Sequence, residues 1–568
     1  MAPKEAIPPA PLANKPETDP FLYVLRAMCI LELAALYSPL SQLTLAPVYG
    51  SIPTSAFHHE ITSVIVLLSL TRANMLSRFM PANIEYYIPI LASSIPMIQS
   101  HLFKYSTQLG VESGPLITEG LTYYPLLLMS TYSAARLLLD AKIDQYLHAA
   151  MGSTILGLST YGFFVLVRSK SSFLISQFFA FSATFTRVTL QCAIGALFTI
   201  LSPSKLSLLA IPAMIHTTWF NPHFVSPHTD ALANSTLQAN QWNLLERAES
   251  NTGYISVLEN LDAGYRVLRC DHSLLGGEWL ITDERRKQGI TTSEPIYSVF
   301  EILEAVRLIE TSHSGAPDNE KNALVVGLGI GTAPKALMAH GIDTTVVELD
   351  PKVHEFATKY FDLPTNHVAV LEDAVSWVQN ASTSATKQYD YIIHDVFTGG
   401  AEPLPLFTDQ FLGNVRSLLK PEGVVAVNYA GDLADSSTKQ IINTINLAFD
   451  RQCRMFRDTE QSSEQSSETE ATDFLNMVIF CKNTGGGKLE FRAPVEADYL
   501  GAVSRRHYLA PKKKLELEFP TEEEMQEESV QTLTMDNLGE FKKKQIESAK
   551  RHWKIMRLVV PDFVWELW

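Results

Sequence analysis

The sequence is poor in cysteine and in positive charge, and each shortage excludes a class of protein. Its five cysteines are scattered through 568 residues without a CxxC pair, so neither a zinc site nor a disulfide framework is predicted. The formal net charge is −16, which argues against a protein that binds the phosphate backbone of nucleic acids, because such affinity comes largely from lysine and arginine. We therefore predict no metal site and no nucleic-acid partner.

Charged residues are also scarce in the first 220 residues, which hold 12 of the 45 basic and 10 of the 61 acidic residues. Residues 1–20 are rich in proline and alanine and are typical of a disordered tail rather than a signal peptide. Apolar runs of roughly membrane-spanning length follow, and so many in succession exceed what a soluble domain needs to bury. Residues 21–220 are therefore predicted to form an α-helical transmembrane bundle. The six predicted spans are Phe21–Leu45, Ile61–Met80, Ile84–Phe103, Leu121–Leu139, His148–Val167 and Phe173–Leu201, and a short seventh, Leu206–Phe220, stays open as an alternative.

Basic residues between these runs predict the orientation of the bundle. Loops on the side of the N-terminus carry more lysine and arginine than loops on the other side, which favours a cytosolic N-terminus. Six spans then return the acidic second part of the chain to the cytosol, whereas seven would place it outside. The sequence thus predicts a multi-pass integral membrane protein, with a lipid bilayer as partner and a cytosolic catalytic domain, in the endoplasmic reticulum or another endomembrane.

The stretch Asn322–Asp350 organises the second part of the chain. An apolar run ends in three glycines at a spacing of two, Gly327, Gly329 and Gly331, and a helical pattern and a second apolar run ending in Glu348 follow. This order predicts a strand, a tight turn, a helix and a strand. Such a turn lets the backbone approach a nucleotide-like ligand, and the acid that closes the next strand is placed to bind a ribose.

Further strands and helices alternate around this stretch and predict an α/β domain with a parallel sheet closed by an antiparallel pair. Residues 320–485 form this Rossmann-like core, with a disordered loop predicted at Gln461–Glu470. Residues 250–310 are predicted to form a small β-rich module, whose hairpin joins Tyr254–Glu259 to Tyr265–Cys270, followed by an entry helix. Residues 486–568 are a C-terminal extension whose aromatic end is predicted to dock on the domain, a basic contact with a membrane surface being the alternative.

Acidic residues follow the predicted strands where a parallel sheet places its binding crevice. Glu348 can accept hydrogen bonds from both ribose hydroxyls, and Asp373 follows the third strand. Asp373 has an alternative role as the N-cap of the next helix. Asp395 ends the fourth strand and Asn428 the fifth, so both face the same crevice. His394 points to the opposite face of its strand and is predicted to be structural.

These segments resemble the core of class I S-adenosylmethionine-dependent methyltransferases, and among them the spermidine-synthase branch. The matching segments are ALVVGLGIG, VVELDP, LEDA, YDYIIHDVF and LKPEGVVAVN, preceded by GYRVLRCDHSLLGG and EPIYSVFEILEAVRLI. The resemblance covers Thr252–Lys482, and it implies a ribose ligand in Glu348 and an adenine ligand in Asp373. It also implies that Asp395 is the acid that polyamine aminopropyltransferases place on the attacking amine.

The chain departs from that branch where a polyamine would bind. Ile330 stands in the glycine loop where the branch has an aspartate, and Thr398 replaces a second aspartate after Asp395. Tyr297 is kept from a Tyr-x-Glu motif, but Val299 replaces its glutamate. A buried ammonium group needs carboxylate or aromatic partners, so these replacements disfavour aminopropyl transfer while leaving the cofactor pocket intact.

We therefore expect a membrane-anchored methyltransferase of spermidine-synthase-like fold that uses S-adenosylmethionine. Asp395 is the predicted catalytic residue, the three glycines, Glu348 and Asp373 bind the cofactor, and Tyr297 and Asn428 bind the acceptor. The expected acceptor is a small molecule, a lipid or a protein, and a second copy of the chain is a further expected partner. Two alternatives stay open. One is an aminopropyltransferase that uses decarboxylated S-adenosylmethionine, and the other is a membrane scaffold or transporter-like protein with a cofactor-binding pseudoenzyme domain.

Overall fold

A computed structural model describes residues 19–81, 83–142, 152–312, 315–384, 387–396, 403–459, 474–483, 488–527 and 531–568. The predicted loop Gln461–Glu470 and all but the last two residues of the predicted tail lie outside these ranges. The described chain comprises an N-terminal helical region, a five-stranded antiparallel sheet, an eight-stranded mixed sheet with helices on both faces, and a C-terminal extension.

The helical region packs around a buried core of its own. Its core contains Leu31, Ile95 and Phe198, which are nearly inaccessible to solvent, and a buried hydrogen-bonded group in which His58 bonds to both Ser38 and Glu119. Its helices are α1 (Pro20–Tyr49), α2 (Ser51–Ser55), α3 (His58–Thr71), α4 (Ala73–Leu76), α5 (Ile88–Phe103), α6 (Ser106–Leu121), α7 (Tyr123–Asp140), α8 (Gly152–Phe181), α9 (Arg187–Leu201), α10 (Ile211–Trp219) and α11 (Pro227–Gln238).

The prediction of a six-span transmembrane bundle is wrong. Among the described residues one helix, α1, is long and apolar enough to cross a membrane, and a buried core helix passes the same test. Breaks interrupt two of the other apolar runs. The run Ile61–Met80 divides into α3 and α4, and Phe173–Leu201 divides before Thr186, which caps α9. The multi-pass localisation and its cytosolic orientation depended on those spans and are wrong for the same reason.

The five-stranded sheet follows the helical region and runs antiparallel in sequence order. Its strands are β1 (Trp242–Glu249), β2 (Tyr254–Asn260), β3 (Tyr265–Cys270), β4 (Ser273–Trp279) and β5 (Glu294–Pro295), and helices α12 (Asp283–Lys287) and α13 (Val299–Leu303) lie around β5. A buried arginine joins this sheet to the helical region. Arg187, at the start of α9, forms ion pairs with Glu249 at 2.7 Å and Asp271 at 3.2 Å.

The eight-stranded sheet has the strand order β13-β11-β12-β10-β9-β6-β7-β8, in which β13 is Glu516–Leu517 of the C-terminal extension. Neighbours from β10 to β8 pair in parallel, and the pairings of β10 with β12, β12 with β11 and β11 with β13 are antiparallel. Both of its faces are buried, because alternate residues such as Val325 and Val326 enter two separate cores, as parallel sheets require. Its elements are β6 (Asn322–Val326), α14 (Thr332–Ala339), β7 (Asp343–Val347), α15 (Pro351–Tyr360), β8 (Val368–Val370), α16 (Ala374–Ser384), β9 (Tyr389–His394), α17 (Asp409–Ser417), β10 (Leu419–Asp432), α18 (Ser436–Ala448), β11 (Cys453–Arg457) and β12 (Phe474–Lys482).

A disulfide bond joins Cys453 of β11 to Cys481 of β12, where the sequence had predicted none. The two cysteines are direct partners in the antiparallel register, which brings together residues 28 positions apart. Scattered spacing in the sequence therefore concealed a pair that the hairpin places side by side. Disulfides are typical of proteins that mature in oxidising compartments.

The C-terminal extension packs against both the helical region and the five-stranded sheet. It contains α19 (Val503–Tyr508), β13 (Glu516–Leu517), α20 (Glu522–Glu527), α21 (Leu538–Val559) and α22 (Asp562–Glu566). Trp565 and Trp568 are buried, so the aromatic end does dock, but it packs against the five-stranded sheet and the helical region rather than the predicted α/β domain. Arg269 of β3 lies fully buried at this junction and donates hydrogen bonds to the carbonyls of Pro47 and Val564, which tie the helical region to the extension.

Candidate active site

A cavity of about 520 Å³ lies at the carboxyl ends of β6, β7, β9 and β10. Its size is that of a small-molecule site, and its position is where open α/β sheets bind their ligands. Glu348, Asp373 and Asp395 all border it. Three carboxylates around one cavity favour a cationic ligand.

The glycine loop forms one wall of this cavity. Gly327 and Gly329 have φ angles of 84° and 54°, a left-handed conformation that other residues rarely adopt. A Cβ atom on Gly327 would lie 2.0 Å from the carbonyl oxygen of Asp395, and one on Gly329 would lie 2.4 Å from that of Leu275. Both positions therefore require glycine, and their bare backbone leaves room for a ligand to approach.

Glu348 follows β7 and is almost completely buried at the edge of the cavity. Its carboxylate accepts hydrogen bonds from the backbone N–H of Leu328 at 2.9 Å and of Asp350 at 2.8 Å. Burial raises the pKa of Glu348 to about 7. The predicted ribose ligand therefore also holds the glycine loop against the end of β7, and no sequence pattern indicates this second contact.

Asp373 lies between β8 and α16, where it is exposed and borders the cavity. One carboxylate oxygen accepts a hydrogen bond from the backbone N–H of Val375 at 3.1 Å, as a helix cap does. Asp373 therefore both borders the cavity and caps the start of α16. The predicted role as adenine ligand stays a prediction.

Asp395 and Asn428 form a hydrogen-bonded pair beside the glycine loop. The side-chain amide of Asn428 donates to the Asp395 carboxylate at 2.7 Å. Burial raises the pKa of Asp395 to about 6, and the bond from Asn428 partly opposes that rise. The neighbouring His394 points to the other face, where it is fully buried and its Nε2 lies 3.0 Å from the carbonyl oxygen of Leu406.

Tyr297 borders the same cavity, and its hydroxyl is buried without a hydrogen-bond partner among the described residues. Burial raises the pKa of Tyr297 to about 12, so the phenol stays protonated and can donate a hydrogen bond. The apolar replacements noted in the sequence are buried in the core beneath. Ile330 and Val299 belong to one cluster of inaccessible side chains and offer no carboxylate to a polyamine.

Two groups of cavity residues were missed by sequence reasoning. Asn476 of β12 borders the cavity through its pairing with Ala430 of β10. Helix α21 contributes His552 and Met556, together with two neighbours on the same face. The helical spacing of these residues could have indicated a common face, but not what that face contacts.

The residues present fit an adenosyl cofactor with a cationic centre. The glycine loop admits the ligand to the backbone, and Glu348 and Asp373 border the cavity with carboxylates suited to ribose and adenine. Asp395 lies on the side of the loop where β9 and β10 end.

Comparison with known proteins agrees with this arrangement. Residues 306–456 match the family described as Spermine/spermidine synthase domain. A curated N-terminal histidine N-methyltransferase of Emericella nidulans is 41% identical over 570 residues, covering 98% of this chain and 100% of that protein. A probable polyamine aminopropyl transferase of Bifidobacterium longum is 27% identical over 177 residues, covering 30% of this chain and 36% of that protein.

Solved structures similar to part of the chain include a probable spermidine synthase from Corynebacterium glutamicum, with a TM-score of 0.34 and 15% identity. The match covers 46% of this chain and 88% of the Corynebacterium protein. Human methyltransferase-like protein 13 in complex with SAH has a TM-score of 0.27 and 21% identity, and covers 38% of this chain and 93% of its own.

Proposed function

This chain belongs to the family of the Emericella nidulans N-terminal histidine N-methyltransferase and is an S-adenosylmethionine-dependent methyltransferase, and from that premise we propose that it methylates the N-terminal histidine of a protein or peptide. The observation that carries this proposal is the whole-length similarity to the fungal relative, which includes the helical region and the C-terminal extension. A shared catalytic core alone would leave the acceptor open.

The Asp395–Asn428 pair supports an acceptor with a positively charged amino group. A buried carboxylate is stabilised by a nearby cation, and the bond from Asn428 holds the Asp395 carboxylate in one orientation. The free α-amino group of a peptide has a pKa near 8 and an imidazole one near 6.5. At neutral pH, therefore, the amino group is largely protonated and binds Asp395, while the neutral ring provides the nucleophile.

S-adenosylmethionine supplies a methyl group already activated on a sulfonium, so this chain has only to position the acceptor and exclude water. With the cofactor held by the glycine loop and Glu348, a neutral ring nitrogen of the acceptor would receive this methyl group on its lone pair, and the electron pair of the broken carbon–sulfur bond would stay on sulfur. The proton on the second ring nitrogen then goes to solvent. Asp395 contributes by holding the acceptor in line.

The apolar replacements in the core argue for methyl transfer over aminopropyl transfer. Ile330 is buried within the glycine loop and lies against Gly276, where an added Cβ would be 3.0 Å from its side chain. The position at which the spermidine-synthase branch carries an aspartate is thus filled by an aliphatic group. An ammonium group there would be desolvated without a partner.

The test uses the purified full chain, S-adenosylmethionine and three synthetic peptides of otherwise identical sequence. One begins with histidine, one with N-acetylated histidine, and one with glycine followed by histidine. We expect methylation of the first alone, and fragmentation in a mass spectrometer should place the methyl group on the imidazole ring. Equal methylation of the acetylated peptide would contradict the role of the amino group. Turnover of putrescine with decarboxylated S-adenosylmethionine would favour the aminopropyltransferase instead.

A further inference from the structure

One face of helix α21 forms a wall of the active-site cavity. His552, Ile555, Met556 and Val559 all border the cavity, and their spacing of three, four and seven residues places them in a single stripe. The stripe is apolar except for the imidazole of His552, which is buried. Lys554 lies on the same helix but is exposed, away from the cavity.

An ion pair between Arg551 of α21 and the end of β10 places the α21 wall beside the part of the cavity that Asn428 borders. Arg551 donates a hydrogen bond to Asp432 at 2.6 Å and another to Asp435 at 3.3 Å. Asp432 is the last residue of β10, four residues beyond Asn428. Helix α21 therefore lies over the end of the strand that carries Asn428, whereas the predicted adenosyl ligands follow β6, β7 and β8.

The other side of α21 is fixed to the helical region. The indole N–H of Trp553 donates to the carbonyl of Val48 at 2.9 Å. Arg557 donates to the hydroxyls of Ser106 and Thr107, each at 2.9 Å, and its guanidinium group lies 4.3 Å from the Trp553 ring centre. These contacts link the wall to α1 and to the start of α6.

We propose that the stripe His552, Ile555, Met556 and Val559 is the subsite for the imidazole side chain of the acceptor, and that Trp553 and Arg557 are positioning residues that hold it over Asp395. This inference rests on the proposed function. The ligand class is a peptide N-terminus that carries an aromatic, hydrogen-bonding side chain. The amino group lies at Asp395, and the ring packs against the apolar part of the stripe.

His552 gives the subsite a polar group that adds no charge. Its burial lowers its pKa to about 4, so the ring is neutral at physiological pH. A neutral imidazole can donate a hydrogen bond to a ring nitrogen or accept one from it, and it does not repel the protonated amino group. An arginine or lysine here would place a third cation beside the cationic acceptor and the sulfonium.

The first experiment measures steady-state kinetics of Met556→Ala and His552→Phe with the histidine-starting peptide, with Lys554→Ala as the matched control on the exposed face. We expect the KM for the peptide to rise roughly tenfold in each cavity variant, as for the loss of one packed contact. The Kd for S-adenosylmethionine, measured by calorimetry, should stay within about twofold of that of the unmodified protein. The control should change neither constant by more than about twofold.

The second experiment tests the positioning residues with Arg557→Lys, which keeps the charge but not the paired hydrogen bonds to α6. A positioning role predicts a higher KM for the peptide with an unchanged Kd for S-adenosylmethionine, whereas a purely structural role would lower only the unfolding temperature. An unchanged KM in Met556→Ala, His552→Phe and Arg557→Lys, with normal turnover by the unmodified protein, would overturn the subsite alone. Absence of peptide methylation by the unmodified protein would refute the proposed function and the subsite with it.

Discussion

Replacing Gly327 by alanine should separate the steric role of the glycine loop from its conformational role. The added Cβ atom would lie 2.0 Å from the carbonyl oxygen of Asp395. Because contacts below 3.0 Å essentially never occur for a Cβ atom, the backbone at Asp395 must move by about 1 Å. If Asp395 holds the acceptor in line as proposed, a displacement of that size should lower turnover by about two orders of magnitude.

Gly341→Ala is the matched control for this substitution. Gly341 has a φ angle of 83°, nearly the same as the 84° of Gly327, but its added Cβ would meet nothing closer than 3.7 Å. Both variants should therefore lose about 1–2 kcal/mol of unfolding free energy from the left-handed conformation. Gly327→Ala should lose more because of its clash, and only Gly327→Ala should lose turnover. The two variants are compared by denaturant unfolding, by calorimetry with S-adenosylmethionine and by peptide methylation. Equal turnover in both would refute the close approach between the loop and Asp395.

Three further predictions concern buried groups. Asp395→Asn should abolish turnover and yet raise the unfolding free energy at pH 7.5 by up to about 3 kcal/mol. Burial raises the folded pKa of Asp395 to about 6, so the native state binds the proton more tightly and loses stability as pH rises through 6. A stability gain that persisted below pH 4 would contradict this linkage. The double variant Cys453→Ser and Cys481→Ser should lose about 3–4 kcal/mol in denaturant unfolding, from the entropy of the 28-residue separation; a loss under about 1 kcal/mol would contradict this. Arg187→Met leaves the buried carboxylates of Glu249 and Asp271 without their cation and should lower the unfolding free energy by about 3–5 kcal/mol. Lys387→Met removes an exposed ion pair and should lower it by less than about 1 kcal/mol. Similar losses in the two variants would refute the buried pairing.

The α/β core could be predicted from the sequence because its signals are local. Strands buried on both faces appear as apolar runs such as the one before Gly327, and the acids that follow them mark the edge of the sheet. Asp395 and Asn428 are 33 positions apart, but parallel strands bring their ends together. This places both residues at one cavity without any knowledge of tertiary packing.

The errors and omissions arise where the signal is not local. Apolar content suggested spans, yet the continuity of a helix depends on individual residues such as Arg72, whose φ of −121° and ψ of 25° separate α3 from α4 within the run Ile61–Met80. The pairing of Cys453 with Cys481 requires the register of a hairpin. The cavity face of α21 is visible as a stripe containing His552, but a stripe does not reveal which surface it covers.

The junction between the helical region and the core has a consequence for how this chain can change over evolutionary time. Arg269 is fully buried and bonded to Pro47, and Trp553 is bonded to Val48. A gene that lost its first 220 codons would lose those acceptors and leave a buried guanidinium group and a buried indole without them. The helical region is therefore expected to be inherited together with the methyltransferase core. If α21 positions the peptide substrate as proposed, the identity of Ser106, whose hydroxyl accepts a hydrogen bond from Arg557, should be constrained by that substrate although Ser106 does not border the cavity.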